Sequence, residues 1–214
     1  MKLYKTVVDA LSKLPIDLGQ GSFKHTTKAK EIAFAAVPKD GSGKKALDVG
    51  CGDGYWSEKM IGLGYATTSV DEERTYPNVD SDHRYERMLP VDLNKALPYE
   101  DNSFDVVWCS EVIEHLTEYK LAIKEMRRVT KPGGVYIITT PNSFFWLHYL
   151  LLLFGLENKD WQNSGHVNFF NISDIKTLFP EDRISGYFPY FVIKCEIRNF
   201  VSLLSPNFVI VGQK

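Results

Sequence analysis

Cysteine is scarce in this 214-residue chain, which has only Cys51, Cys109 and Cys195, widely spaced and without a C-x-x-C pair. That usage argues against a disulfide framework or a thiolate zinc site and makes a reducing, cytoplasmic setting the expectation. Excess charge is missing too: 25 Lys and Arg stand against 27 Asp and Glu, a formal net charge of -2, so no global field draws nucleic acid or anionic lipid. Long hydrophobic runs are also lacking. The most apolar stretch, Phe144 to Leu156 (FFWLHYLLLLFGL), is too short to cross a bilayer. The opening residues, MKLYKTVVDALSKL, carry lysines at positions 2, 5 and 13 that break up any signal-peptide core. What remains is an ordinary globular composition, 44% hydrophobic and 24% charged, in a length that suits one domain over 1–214.

The most informative stretch is Lys45 to Met60, KALDVGCGDGYWSEKM. Ala46, Leu47 and Val49 form a short apolar strand, Gly50, Gly52 and Gly54 follow at every second position, and Trp56, Met60 and Leu63 open an amphipathic helix. Glycines so spaced allow a sharp turn with positive φ and close approach of a ligand, and the helix N-terminus offers free N–H donors to an anionic group. Before it, Leu3, Val7, Leu11 and Leu14 predict a helix ended by Pro15, and Thr26 to Val37 a second, so 1–44 reads as N-terminal helices. Gly19, Gly21 and His25 fall in a connector. After it, Tyr65 to Val70 predicts a strand ending in Asp71. Residues 72–83 hold Pro77 and Asn78, which shorten the expected helical crossover, and Tyr85 to Val91 is a third strand whose Pro90 suggests an edge. Phe104 to Cys109 reads as a buried central strand, Thr117 to Thr130 as a helix and Val135 to Thr140 as a fifth strand. Two further strands are expected within Tyr187 to Ile193 and Phe208 to Gly212. The segment 143–165 is an insertion or lid whose helix, Phe144 to Leu156, has apolar residues on every side and a cap at Asn142 or Ser143.

Tyr55 stands where a dinucleotide fingerprint would put its third glycine. The acid-x-Gly-x-Gly-x-Gly pattern from Asp48 to Gly54 instead resembles the first motif of class I S-adenosylmethionine (SAM) dependent methyltransferases. Leu97-Pro98-Tyr99 through Asn102-Ser103-Phe104-Asp105 is similar to that family's "LPFxDxSFD" linker, RVTKPGGVYIITTPN to its turn and fifth strand, and His166-Val167-Asn168-Phe169-Phe170 to its "H-x-x-F-F". The resemblance implies an α/β, Rossmann-like doubly wound seven-stranded sheet of order 3-2-1-4-5-7-6 with its last strand antiparallel. It also implies a SAM site drawn from Asp48, Gly50, Cys51, Gly52, Gly54, Tyr55, Asp71, Glu72, Asp92, Leu93, Ser110 and Glu111, with Asp71 on the ribose and Asp92 on the adenine.

Ser110-Glu111-Val112-Ile113-Glu114-His115 carries the candidate chemistry, because residues three and four apart meet on one helical turn. It resembles the ubiquinone-pathway catechol O-methyltransferases and the small-RNA 2′-O-methyltransferases. That likeness implies an Mg²⁺ or Mn²⁺ ion held by Glu111, Glu114, His115 and His166. In a metal-free enzyme, His166 is the general base and Glu111 lines the cofactor. The expected activity is methyl transfer to O or N of a small-molecule or lipid-linked acceptor, with peripheral membrane contact through 144–156. A metal-assisted RNA 2′-O-methyltransferase is an alternative, disfavoured by the charge balance, and a SAM-binding, non-catalytic partner subunit is another.

Overall fold

The computed structural model describes residues 27–72, 86–153, 155–158, 162, 165–188 and 195–214. The expected helix over residues 3–14, the connector with Gly19, Gly21 and His25, the shortened crossover at 72–83 beyond residue 72, and the first residue of the expected third strand, Tyr85, lie outside the described residues. The strands are β1 (Lys45–Val49), β2 (Ala66–Asp71), β3 (Met88–Pro90), β4 (Phe104–Ser110), β5 (Thr130–Pro141), β6 (Arg183–Tyr187), β7 (Glu196–Ile197) and β8 (Asn207–Gln213). They form one sheet of order β3-β2-β1-β4-β5-β8-β6-β7. β1 to β5 are parallel neighbours, and β8 runs antiparallel between β5 and β6.

This is the doubly wound order expected from the resemblance, with one addition. The two-residue β7 pairs antiparallel to β6 and makes an eighth, outermost strand. The sixth strand is also earlier than expected, at Arg183–Tyr187, because its buried half is Ser185, Gly186 and Tyr187 and not an apolar run. Pro90 does sit in an edge strand, where its missing N–H costs no ladder bond.

The helices are α1 (Lys28–Ala35), α2 (Tyr55–Gly62), α3 (Tyr119–Val129), α4 (Trp146–Leu152), α5 (Ile172–Leu178) and α6 (Val201–Leu204). Ala29 and Ala33 of α1 and Met60 of α2 pack with Ala46, Val106, Trp108 and Ile137 on one face of the sheet. Ala122, Ile123 and Met126 of α3 and Ile175 of α5 pack with Leu47, Val107 and Ile138 on the other. A continuous apolar strand such as β4 needs cover on both sides, and these two layers give it.

α4 corrects two expectations. It is shorter than Phe144 to Leu156, and its N-cap is Phe145 without a side-chain bond, since Asn142 instead donates to the carbonyls of Ser202 and Ser205 at 2.9 and 2.8 Å. It is also one-sided: Leu147 and Leu151 are buried, whereas Tyr149, Leu150 and Leu152 are exposed, and Leu153 just after it is 82% exposed.

Candidate active site

Strand order reverses between β1 and β4, and in open α/β sheets that point, beyond the carboxyl ends of the strands, is where ligands bind. Gly50, Gly52 and Gly54 all have positive φ, at 71°, 54° and 80°. The space around them differs. A Cβ on Gly50 would lie 2.3 Å from Val112 Cγ2, so this glycine lets the turn press against the segment after β4. A Cβ on Gly52 would meet nothing within 4 Å, so this glycine leaves open room for a ligand. The turn is held to β2 by Gly50 N and Cys51 N, which donate to Val70 O at 2.8 and 3.1 Å.

Asp71 accepts from Gly52 N and Glu72 N, both at 2.8 Å, so it braces the turn at the end of β2. Asn94 Nδ2 donates to Glu72 Oε1 at 3.3 Å, which brings Asp71, Glu72, Asp92 and Leu93 to one end of the sheet. Asp92 accepts from Asn94 N at 3.0 Å and pairs with Lys95, also at 3.0 Å. These bonds hold its carboxylate below the usual range.

Asp48 takes a different place from the other acids. It is buried beneath the turn and accepts from Ser57 Oγ at 2.6 Å, and Ser57 Oγ lies 2.7 Å from Ser69 Oγ. Burial pushes its carboxyl up to about 7, with the charge of Asp71 adding to the effect. Cys51 and Cys109 are buried thiols raised by burial, as small core residues are. Tyr55 starts α2 and stacks edge-on against Trp56, whose ring lies 5.0 Å from that of Trp108.

The E-x-x-E-H segment is not one helical turn. Glu111 adopts φ 58°, and only Ile113–His115 form a short 3₁₀ turn. The left-handed residue turns the Glu111 carboxylate toward β5 and β8. Its carboxylate accepts from Thr139 Oγ1 at 2.9 Å and from Asn207 Nδ2 at 3.2 Å to each oxygen. Ser110 Oγ lies 2.8 Å from the same Thr139 hydroxyl. Burial raises the Glu111 carboxyl, opposed by Lys30 on α1 and by these hydrogen bonds.

Glu114, His115 and His166 do come together, with their ligating atoms within 4.8 Å of one another, and Glu111 is not part of the group. Of the four residues expected around a metal, three therefore cluster and Glu111 lies outside that cluster. Glu114 is 1% exposed; Thr140 Oγ1 donates to its Oε2 at 3.0 Å, and its Oε1 is buried with no partner. Burial and the charge of Glu111 drive its carboxyl well upward. His115 Nδ1 lies 2.8 Å from Gly165 O, and His166 Nδ1 lies 3.2 Å from Gln162 Oε1. The imidazole of His166 is pushed down to about 4 by burial and by the neighbouring His115.

Asn168 explains why these groups meet. Its Nδ2 donates to Ile113 O and Leu116 O at 3.2 and 2.7 Å, and the backbone N–H groups of Val167 and Asn168 donate to Glu114 O. The H-V-N-F-F segment thereby clamps the 3₁₀ turn and sets His166 beside His115, with ring centroids 4.8 Å apart.

Residues 22–182 match the family described as a methyltransferase domain. The chain belongs to that family. It is similar to a ubiquinone biosynthesis O-methyltransferase of Pasteurella multocida, 32% identical over 155 residues covering 64% of each chain. It is also similar to a malonyl-[acyl-carrier protein] O-methyltransferase of Erwinia pyrifoliae, 34% identical over 48% of this chain and 39% of that one. The chain thus spans between 39% and 64% of these relatives' lengths. A Thermotoga maritima structure described as a SAM-dependent methyltransferase and possible histamine N-methyltransferase has the same fold, with TM-score 0.64 at 18% identity over 87% of both chains.

In this methyltransferase domain, sequence reasoning named the glycine turn, Asp71 and, with Glu111, the Glu114, His115 and His166 that the structure clusters. It missed Lys30, Thr139, Thr140, Gln162 and Asn207. Thr139 and Thr140 lie in the RVTKPGGVYIITTPN segment but carry no signal of their own there, and Lys30, Gln162 and Asn207 fall outside every motif; each is brought to the end of β4 by β5, β8, α1 or the insertion. The donor set fits a cation. A buried carboxylate oxygen without a partner needs a proton or a positive charge beside it, and the two imidazoles each have Nδ1 facing a carbonyl oxygen, the outer-shell arrangement of metal-ligating histidines. Among the described residues, no helix is long and apolar enough to cross a membrane.

Proposed function

We propose that this chain is a SAM-dependent methyltransferase that transfers the methyl group to an oxygen of a small-molecule acceptor, with a divalent cation held by Glu114, His115 and His166. The observation that carries the reading is that cluster, with its unpartnered Glu114 Oε1, two residues from the Val112 that packs against the glycine turn. Family membership and the names of the two O-methyltransferase relatives support transfer to oxygen.

SAM carries its methyl on a sulfonium, so the protein's task is to align the acceptor and manage its proton. In this reading, the open space at Gly52 admits the cofactor, Asp71 takes the ribose and Asp92 the adenine amino group. Glu111, fixed by Thr139 and Asn207, faces the cofactor's amino-acid end. Glu114, His115 and His166 would hold a divalent cation, which when bound would supply a lowered pKa to the acceptor hydroxyl. With Glu111 outside the cluster, two imidazoles and one carboxylate suit Mn²⁺ better than Mg²⁺, which prefers oxygen ligands. In the metal-free form, His166 is the imidazole placed to take the acceptor proton; its lowered pKa keeps it neutral near pH 7 and also makes it a weak base.

The exposed apolar side chains of α4, together with Leu153, favour an acceptor with an apolar or lipid-linked body and contact with a membrane surface through 144–156. Co-sedimentation with phosphatidylglycerol vesicles that is lost on Leu150→Glu and Leu153→Glu is the expected result, and unchanged partitioning rejects it.

Calorimetry of SAM and its demethylated product tests the central reading, with and without Mn²⁺ or Mg²⁺. Binding that weakens at least tenfold in Asp71→Ala and a Mn²⁺ heat lost in Glu114→Ala are expected. No binding by folded protein rejects the enzyme reading in favour of a partner subunit. Binding without a metal heat leaves the metal-free enzyme.

A further inference from the structure

Gln162 is 7% exposed and bonds on only one side. Its Oε1 faces Ser143 Oγ and His166 Nδ1, each at 3.2 Å, whereas its Nε2 is buried with no partner. A hidden amide nitrogen without an acceptor opposes folding, and an apolar side chain of equal length would fill the same space without that cost. Packing therefore gives no reason for glutamine here. The hydrogen bonding does.

Ser143 is fixed by its own N–H, which donates to Phe170 O at 3.0 Å, and its hydroxyl donates to Gln162 Oε1. The Gln162 backbone is held by its N–H to Asn158 O at 2.9 Å. With the carbonyl oxygen on this side the His166 nitrogen facing it donates and carries the proton, whereas an amide turned over would donate to Nδ1 and leave the proton on Nε2. The carbonyl arrangement leaves the lone pair of His166 on Nε2, the nitrogen on the far side of the ring from Gln162.

We propose that Gln162, seated by Ser143, is a positioning residue that selects the Nδ1–H tautomer of His166 and so dedicates Nε2 to the reaction. The inference rests on the working role proposed for His166 and deepens it, because metal ligation and proton acceptance both require an unprotonated nitrogen aimed into the site. Without a carbonyl at Nδ1 both tautomers are populated, and in part of the molecules the lone pair points the wrong way.

The test is nitrogen NMR of ¹⁵N-histidine-labelled protein, free of metal, with His166 assigned by its loss in His166→Ala. The wild type is expected to show a protonated Nδ1 and a pyridine-like Nε2. Gln162→Met is expected to show a mixture of tautomers, to bind Mn²⁺ about 10- to 100-fold more weakly, and to keep its Tm or raise it. Gln162→Glu, whose carboxylate accepts the same proton, restores the wild-type tautomer. Ser143→Ala loosens the amide without altering Gln162 and gives a smaller shift of the same kind.

A wild-type His166 protonated at Nε2 overturns the proposal, as does a Gln162→Met spectrum unchanged from wild type. If the tautomer responds as expected but His166→Ala leaves Mn²⁺ binding and methyl transfer intact, the positioning by Gln162 stands. It is then the proposed role of His166 that falls.

Discussion

Replacing Gly50 and Gly52 by alanine separates the two jobs of the glycine turn. Both residues have positive φ, at 71° and 54°, so an added Cβ costs each about 1–2 kcal/mol in backbone strain. Only at Gly50 does the Cβ also collide, at 2.3 Å from Val112 Cγ2 and 3.1 Å from Cγ1. Val112 is itself buried in the core, so the collision adds roughly 1–3 kcal/mol of overpacking. Gly50→Ala is therefore expected to lose roughly 2–5 kcal/mol and Gly52→Ala about 1–2 kcal/mol, read by urea denaturation with unchanged m-values. Affinity for the demethylated cofactor should move the other way. Gly52→Ala puts a methyl group into the open ligand space and weakens binding at modest cost to the fold. Val112→Ala removes both colliding atoms, so the Gly50→Ala/Val112→Ala double variant should be more stable than the sum of its parts by about 1–3 kcal/mol. Equal losses at the two glycines, or strict additivity with Val112→Ala, would refute the idea that Gly50 is glycine because the E-V-I-E-H segment leans on it.

Three further outcomes follow from the geometry. Asp48, raised to about 7 from 3.8, keeps its proton in the folded state where the unfolded chain has lost it, so its contribution to stability is full below pH 4 and is lost as pH rises through 7. The shift corresponds to about 4 kcal/mol, and Asp48→Asn should flatten the pH dependence of Tm between pH 4 and 7; an unchanged slope rejects a protonated Asp48. Asn168→Ala frees two carbonyls of the 3₁₀ turn and should cost about 1–3 kcal/mol and weaken Mn²⁺ binding, measured by denaturation and calorimetry on the same preparation. Asn207→Leu withdraws the amide from both oxygens of Glu111 and should destabilise by about 2 kcal/mol, with loss of less than 0.5 kcal/mol counting against the contact.

Much of the cofactor side of the site was legible because its signals are local. A glycine turn after an apolar strand, and an acid 21 residues beyond Gly50, need only chain order to be placed. The catalytic side was less legible. Spacings of three and four bring Glu111, Glu114 and His115 together only if the backbone between them is helical, and nothing in the residue types announces a glutamate at φ 58°. That conformation is sustained from far away, by Glu111 N donating to Thr139 O at 3.0 Å and by Asn207 at its carboxylate. β6 was misplaced for a related reason. Ser185 and Gly186 have no strand propensity to advertise, and Gly186 is required because a Cβ there would lie 2.3 Å from Ser205 Oγ on the connection entering β8. His166, by contrast, was named from the resemblance carried by its H-V-N-F-F segment, and the Asn168 that clamps the turn lies in that same segment.

The position of β8 has a consequence for how the site is held. The strand that is last in sequence lies inside the sheet, between β5 and β6, and Asn207 at its start reaches a glutamate 96 residues earlier. Thr139 binds Glu111 from within the parallel part of the sheet, whereas the amide of Asn207 reaches the carboxylate only because β8 lies antiparallel against β5. In the proposed reading, in which Glu111 lines the cofactor, a change that displaces β8 would leave the glycine turn in place and loosen Glu111. The site thus depends on a strand that contributes nothing to the glycine turn itself.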